Sequence, residues 1–183
     1  MVSYASLANC PLQQRFGMSK YELKQNFNTS VLAIPGQWGK EDIILYKEDI
    51  CPNNDQLDNI YALYSFLNDQ LIEIKIISKE ENSINLIQWV KNEFGAPFHQ
   101  AEQDRGNIPL TTGNDYFWKM DNMSVMAEYR IYPNEIYQVI RFVSSTHQAL
   151  FDQYYINVAK GTDPTFKKKM RKYRLKISNL NND

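Results

Sequence analysis

Apolar residues at helical spacing stand out between Ser83 and Pro97, SINLIQWVKNEFGAP, where Ile84, Ile87, Val90 and Phe94 recur on one side. Gly95 can take the left-handed conformation just past the last turn, and Pro97 blocks a restart, so the spacing predicts a helix with a defined end. A shorter helix is predicted from Ser19 to Phe27. Ser19 and Glu22 have capping-box spacing, Met18 and Leu23 can staple the entry, and Leu23 shares a face with Phe27. Asn28-Thr29-Ser30 ends it.

Between and after these helices the pattern changes to short apolar runs. Val31–Ile34 is stopped by Pro35-Gly36, and strand signals follow at Asp42–Lys47, Ile60–Leu67 and Gln70–Ile77. Asn68-Asp69 joins the last two as a hairpin turn. Ile72, Ile74 and Ile76 alternate with Glu73 and Lys75, which predicts a sheet buried on one face and wet on the other. After the second helix, residues 98–114 read as a long polar loop. Three strands come next, at Tyr116–Met120, Val125–Tyr132 and Ile136–Val143, separated by Asp121-Asn122 and Pro133-Asn134.

Each half thus reads helix, loop, three strands, with a period of about 70 residues by element order. The expected fold is α+β: two tandem helix-plus-three-strand repeats, 1–80 and 81–145, with antiparallel sheet, then a helical segment, 146–183. In that last segment a helix is predicted from Thr146 to Val158. Gly161 breaks it, and Asp163-Pro164 opens another that carries Phe166, Met170, Tyr173 and Ile177 on one face.

Composition supports a globular chain, with 43% hydrophobic residues among 183 and only 7 glycines. Neither a dinucleotide fingerprint nor a P-loop occurs, and no apolar run is long enough for a membrane-spanning helix. The net charge of −1 conceals a division. Residues 1–166 carry thirteen basic and twenty acidic groups, whereas Lys167, Lys168, Lys169, Arg171, Lys172, Arg174 and Lys176 make the tail strongly basic. Such a tail can dock on its own domain with its lysines in solvent, or lie on an anionic membrane surface. Nucleic acid is not expected as a partner, because the acidic body would repel phosphates.

The motif Phe16-Gly17-Met18-Ser19-Lys20-Tyr21-Glu22-Leu23 resembles the opening of a repeat in a family of envelope proteins, in which a G-M-[ST] helix start leads to a G-x-P ending and then to aromatic-rich strands. The family includes the small lipoprotein of the outer-membrane barrel-assembly machinery (SmpA/OmlA-like) and, in tandem form, the β-lactamase inhibitory protein. Here the first unit has the start without the G-x-P, and the second has Phe94-Gly95-Ala96-Pro97 without the start, with Trp118 where such repeats place an aromatic. The resemblance spans roughly residues 15–143. It implies an exported, periplasmic or secreted protein that binds a protein partner through an exposed sheet face and performs no catalysis. The alternative is a cytoplasmic or translocated protein that docks on a membrane or, less expected, on nucleic acid through its basic C-terminal helix.

Cys10 and Cys51 are the only cysteines. Both precede proline in polar segments; a bond between them would close a loop of about 40 residues and contribute about 3–4 kcal/mol in the chain-entropy model. Two reduced thiols are the other reading, and the resemblance favours the bond. Leu7-Ala8-Asn9-Cys10 makes a poor lipidation signal, since Asn9 is large and no apolar stretch precedes it. Residues 1–9 do not form an intact signal peptide. His99 and His147 lack any partner at ligand spacing, and a Cys–His nucleophilic pair would need Cys10 or Cys51 brought to one of them. Glu41-Asp42 and Glu80-Glu81 are adjacent carboxylates whose side chains diverge, so they read as solvated charge. No enzyme activity, cofactor or metal is expected.

One register of the second sheet turns Tyr116, Trp118, Met120, Val125, Ala127, Tyr129 and Ile131 inward. Phe117, Lys119, Met126, Glu128, Arg130 and Tyr132 then share the other face, with Tyr137 and Arg141. Aromatic, Met and Arg side chains together are the composition of protein interfaces, so these residues are the candidate partner-binding surface.

Overall fold

The computed structural model describes residues 15–50, 52, 59–80, 85–102 and 112–180. The predicted first helix is α1, Lys20–Asn26. Its capping box forms as expected: the Glu22 amide donates to Ser19 Oγ at 3.2 Å and the Ser19 amide to Glu22 Oε2 at 2.7 Å. Accepting from the Ser19 amide and, at 2.9 Å, from the Ser19 hydroxyl holds the Glu22 carboxyl below its ordinary range, the backbone bond contributing most. Met18 and Leu23 are both buried.

Four strands follow, β1 Ile34–Pro35, β2 Lys40–Tyr46, β3 Ile60–Leu67 and β4 Gln70–Glu80, with a single helical turn, α2 (Lys47–Ile50), after β2. The turn at Asn68-Asp69 has φ of 50° and 63°, the left-handed pair that a two-residue hairpin needs. Helix α3, Asn85–Phe94, ends at Gly95 with φ 73° as predicted. Strands β5 His99–Glu102, β6 Thr112–Lys119, β7 Met123–Tyr132 and β8 Glu135–Ser144 complete the second series. After a 3-10 turn come α4, Gln148–Ala159, and α5, Phe166–Leu180.

All eight strands form one antiparallel sheet in the order β1-β2-β3-β4-β8-β7-β6-β5. β4 and β8 pair at its centre from Glu73↔Val143 to Glu80↔Ile136, so the stretches read as separate units share one sheet. They also share one core. Leu23 of α1 and Leu86, Ile87 and Val90 of α3 pack on the same face, over Tyr64, Ile74, Ile76, Trp118 and Phe142.

Four expectations need correction. α1 and α3 each lead a series of four strands, not three, because β1 and β5 are too short or too polar to signal; β5 lies inside the stretch read as a loop. Met120 and Ile131, placed inward by alternation, are 38% and 40% exposed; Met120 lies just past the end of β6, and Ile131 is the last residue but one of β7. The register between β3 and β4 shifts after Ser65, pairing Ser65 with Glu73 but Phe66 with Leu71. Ile72 is the extra residue of this bulge, so it packs with Leu67 and Phe151, away from Ile74 and Ile76. The face expected to be wet is not wet throughout either: Glu73 lies beneath it at 3% exposure.

Candidate functional site

The register fixes which residues share the sheet face opposite α1 and α3. One row runs Ile44, Leu63, Lys75, Arg141, Met126, Phe117, His99 across six strand pairings. The next runs Tyr46, Tyr61, Ile77, Val139, Glu128, Asp115, and a third Lys79, Tyr137, Arg130, Gly113. Tyr132 lies opposite Glu135 beyond them, and Lys119 lies opposite Ser124 at the other end. The eight candidate residues (Phe117, Lys119, Met126, Glu128, Arg130, Tyr132, Tyr137 and Arg141) therefore do lie on one face. Helix α4 covers one end of it, where Phe151, Leu150 and Tyr154 pack on Leu67, Ile72 and Val143.

Because the sheet is continuous, the face is larger than the second half alone provides. Ile44, Tyr46, Tyr61 and Leu63 extend it, and the Tyr46 and Tyr61 rings lie 6.3 Å apart. The period-two alternation in β2 and β3 carried that signal, but nothing in the sequence joined it to β6–β8. Tyr46 and Tyr132 are well exposed, at 59% and 42%. Tyr137 sits in the middle of the aromatic part. Burial raises its phenol above the ordinary value, and the neighbouring Tyr61, Glu128 and Tyr132 push in the same direction.

The two arginines are held from within. Arg130 lies 2.7 Å from Asp115, whose side chain is only 8% exposed, and 3.1 Å from Glu128, and it donates to the Tyr129 carbonyl at 2.7 Å. Arg141 is hydrogen-bonded to Glu73, whose side chain is 4% exposed. Burial alone would lower the Arg141 guanidinium; the bond to Glu73 and its charge, with Tyr155 of α4, raise it instead. Arg130 and Arg141 thus stiffen the face, and their charges are already partnered. Close approach of β6 and β7 also depends on Gly113, where an added Cβ would lie 2.0 Å from the Tyr129 carbonyl oxygen.

The basic tail forms α5, and its cations do not share a single face. Lys169 donates to Asp163 at 3.0 Å. Lys172 and Lys176 line a cleft against β1 and α1, while Lys167, Arg171 and Arg174 border a shallow groove with Phe166, Met170 and Leu175. Lys168 is exposed. Asp163 fastens the start of α5 to the β1–β2 turn. It accepts from the Thr165 amide and hydroxyl, both at 2.8 Å, and from the Trp38 amide at 3.1 Å. Trp38 adopts φ 53°, a costly conformation for a bulky residue, and its indole also donates to the Gly161 carbonyl at 3.1 Å. The Lys169 hydrogen bond, with those from Thr165 and Trp38, holds the Asp163 carboxyl well below its ordinary range despite burial acting the other way. Helix α5 thereby covers the β1 edge, which protects it from pairing with another chain.

His147 Nδ1 lies 2.6 Å from Ser144 Oγ and 3.1 Å from Thr146 Oγ1, a local arrangement at the end of β8. His99 lies against the Phe117 ring at 6.0 Å. Cys10 and Cys51 lie outside the described residues. Among the described residues no group of three His, Cys, Asp or Glu is placed to hold a metal, and no helix is long and apolar enough to cross a membrane. Compared with family models, curated proteins and solved structures, the chain has no match in any of the three.

Proposed function

We propose that this chain is a non-enzymatic protein-binding module of the cell envelope, periplasmic or secreted, that recognises its partner through the face of the sheet opposite α1 and α3. One observation carries the reading: Tyr46, Tyr61, Met126, Phe117, Tyr137 and Tyr132 lie on one face of a continuous antiparallel platform. Strands fix the spacing of such side chains, and rigid aromatics offer contact area with little rotamer entropy to lose. The internally paired arginines fit this role, since their charges are compensated before a partner arrives.

The face is testable without knowing the partner's chemistry in advance. Phe117→Glu with Met126→Glu is expected to abolish partner binding while leaving the circular dichroism spectrum and Tm within a few degrees of wild type. Undiminished binding by a folded double variant would remove this face from the account. Export rests on the resemblance of residues 15–143 to envelope repeats, and it predicts a Cys10–Cys51 bond. Alkylation of the natively purified, denatured protein should then leave both thiols unlabelled until reductant is added. Immediate labelling of both would place the protein in a reducing compartment.

A further inference from the structure

We infer that the cleft between α1, the β1–β2 hairpin and α5 is a binding site for a small molecule bearing two or more phosphate groups. The cleft has a volume of about 560 Å³ and six lysines line it: Lys20, Lys24, Lys40, Lys169, Lys172 and Lys176. They come from three separate elements. On α1 they are four residues apart, and on α5 three and seven apart, so each helix turns a lysine stripe toward the other. Among the described residues Glu41 is the only acidic one in the lining.

Internal carboxylates account for three of the six. Lys20 pairs with Glu41, Lys40 with Asp42 at 3.0 Å, and Lys169 with Asp163 at 3.0 Å. Lys24, Lys172 and Lys176 have no acidic partner among the described residues. Covering the β1 edge does not need them, because apolar contacts along α5 would serve. Their repulsion across a shared cleft is a standing cost, and it stands out in a chain whose first 166 residues are net acidic. A multiply charged anion converts that cost into attraction, and lysine binds phosphate as a point charge without needing a glycine-rich cradle. The volume is that of ordinary small-ligand sites. Leu32, Ala33 and Pro35 give the cleft apolar wall, and Tyr21 and Tyr173 border it, so a ring attached to the phosphates has somewhere to lie. Nucleotides and inorganic polyphosphate share the required chemistry.

Isothermal titration of the full chain with ATP and with tripolyphosphate, in magnesium-free buffer at low salt, tests this. Saturable binding at one site is expected for at least one of them, with none for adenosine. Preference for ATP would identify a nucleotide site and preference for tripolyphosphate an inorganic one. Lys24→Met with Lys172→Met should weaken binding at least tenfold. Lys167→Met with Lys168→Met, outside the cleft on the same helix, should leave it unchanged. Far-ultraviolet circular dichroism checks that each variant is folded, and Lys176→Met alone serves as a milder probe of the same site. Equal loss from the two pairs would show diffuse attraction to α5 and overturn the proposal. So would the absence of saturable binding by either phosphate compound, including the case where only an oligonucleotide or an anionic vesicle binds.

Discussion

Arg141→Ala is expected to cost about 3–5 kcal/mol of stability, by stranding the carboxylate beneath it. Glu73 has a side chain only 4% exposed, and the remaining cation, Lys75, is 3.8 Å away, too far for a good hydrogen bond. For a chain of this length the loss corresponds to a fall in Tm of roughly 6–20 °C. Replacing both partners, Arg141→Met with Glu73→Leu, should recover most of it, because neither residue then leaves a buried charge unpaired. Thermal unfolding of the single and double variants measures the difference. A loss below about 1 kcal/mol for Arg141→Ala would make the pair equivalent to a surface ion pair, with water reaching Glu73.

Its neighbour on β8 points the other way and should matter as much. Phe142 is 1% exposed and lies under α3, its ring 6.4 Å from Trp89 and 6.0 Å from Phe94. Phe142→Ala removes the ring that both α3 aromatics pack on, at the centre of the sheet, where β4 and β7 leave little freedom to collapse. The expected cost is about 3–5 kcal/mol, read as a drop in denaturant midpoint with an unchanged slope. Phe142→Leu should cost clearly less. If the alanine variant lost under 1 kcal/mol, α3 could not be docked there as described.

These two residues also show what could be read before the fold was known. The periodicity of Ile87, Val90 and Phe94, the cap at Ser19 and the Asn68-Asp69 turn are local, and each element they predicted is present. Alternation along β6–β8 placed the eight candidate residues on one face for the same reason. Long-range facts left no local trace. The pairing of β4 with β8 makes one sheet from two stretches and adds Tyr46 and Tyr61 to the face, yet no spacing in the sequence states it. The bulge that swings Ile72 away from Ile74 is hidden in what looks like regular alternation.

Charge was harder still to read. Arg130 and Arg141 looked available for a partner, but Asp115 and Glu73 come to them from β6 and β4. The spacing of the basic tail leaves docking and membrane binding both open, and does not state that α5 divides its cations between Asp163, the cleft and solvent. Asp163 was legible as a helix start, while its hold on Trp38, 125 residues away in the chain, was not.

The role of the sheet face is tested most directly by site-specific photo-crosslinking in the cells that make the protein. A benzophenone side chain at Tyr46, Phe117 or Tyr132 is expected to give the same discrete adduct from all three positions. Introducing Met126→Glu beside Phe117 should abolish it. An equivalent probe at Asn92, exposed on α3 on the opposite side of the sheet, should give none. Adducts from Asn92 but not from the three face positions would contradict the account and move the recognition surface to the helical side.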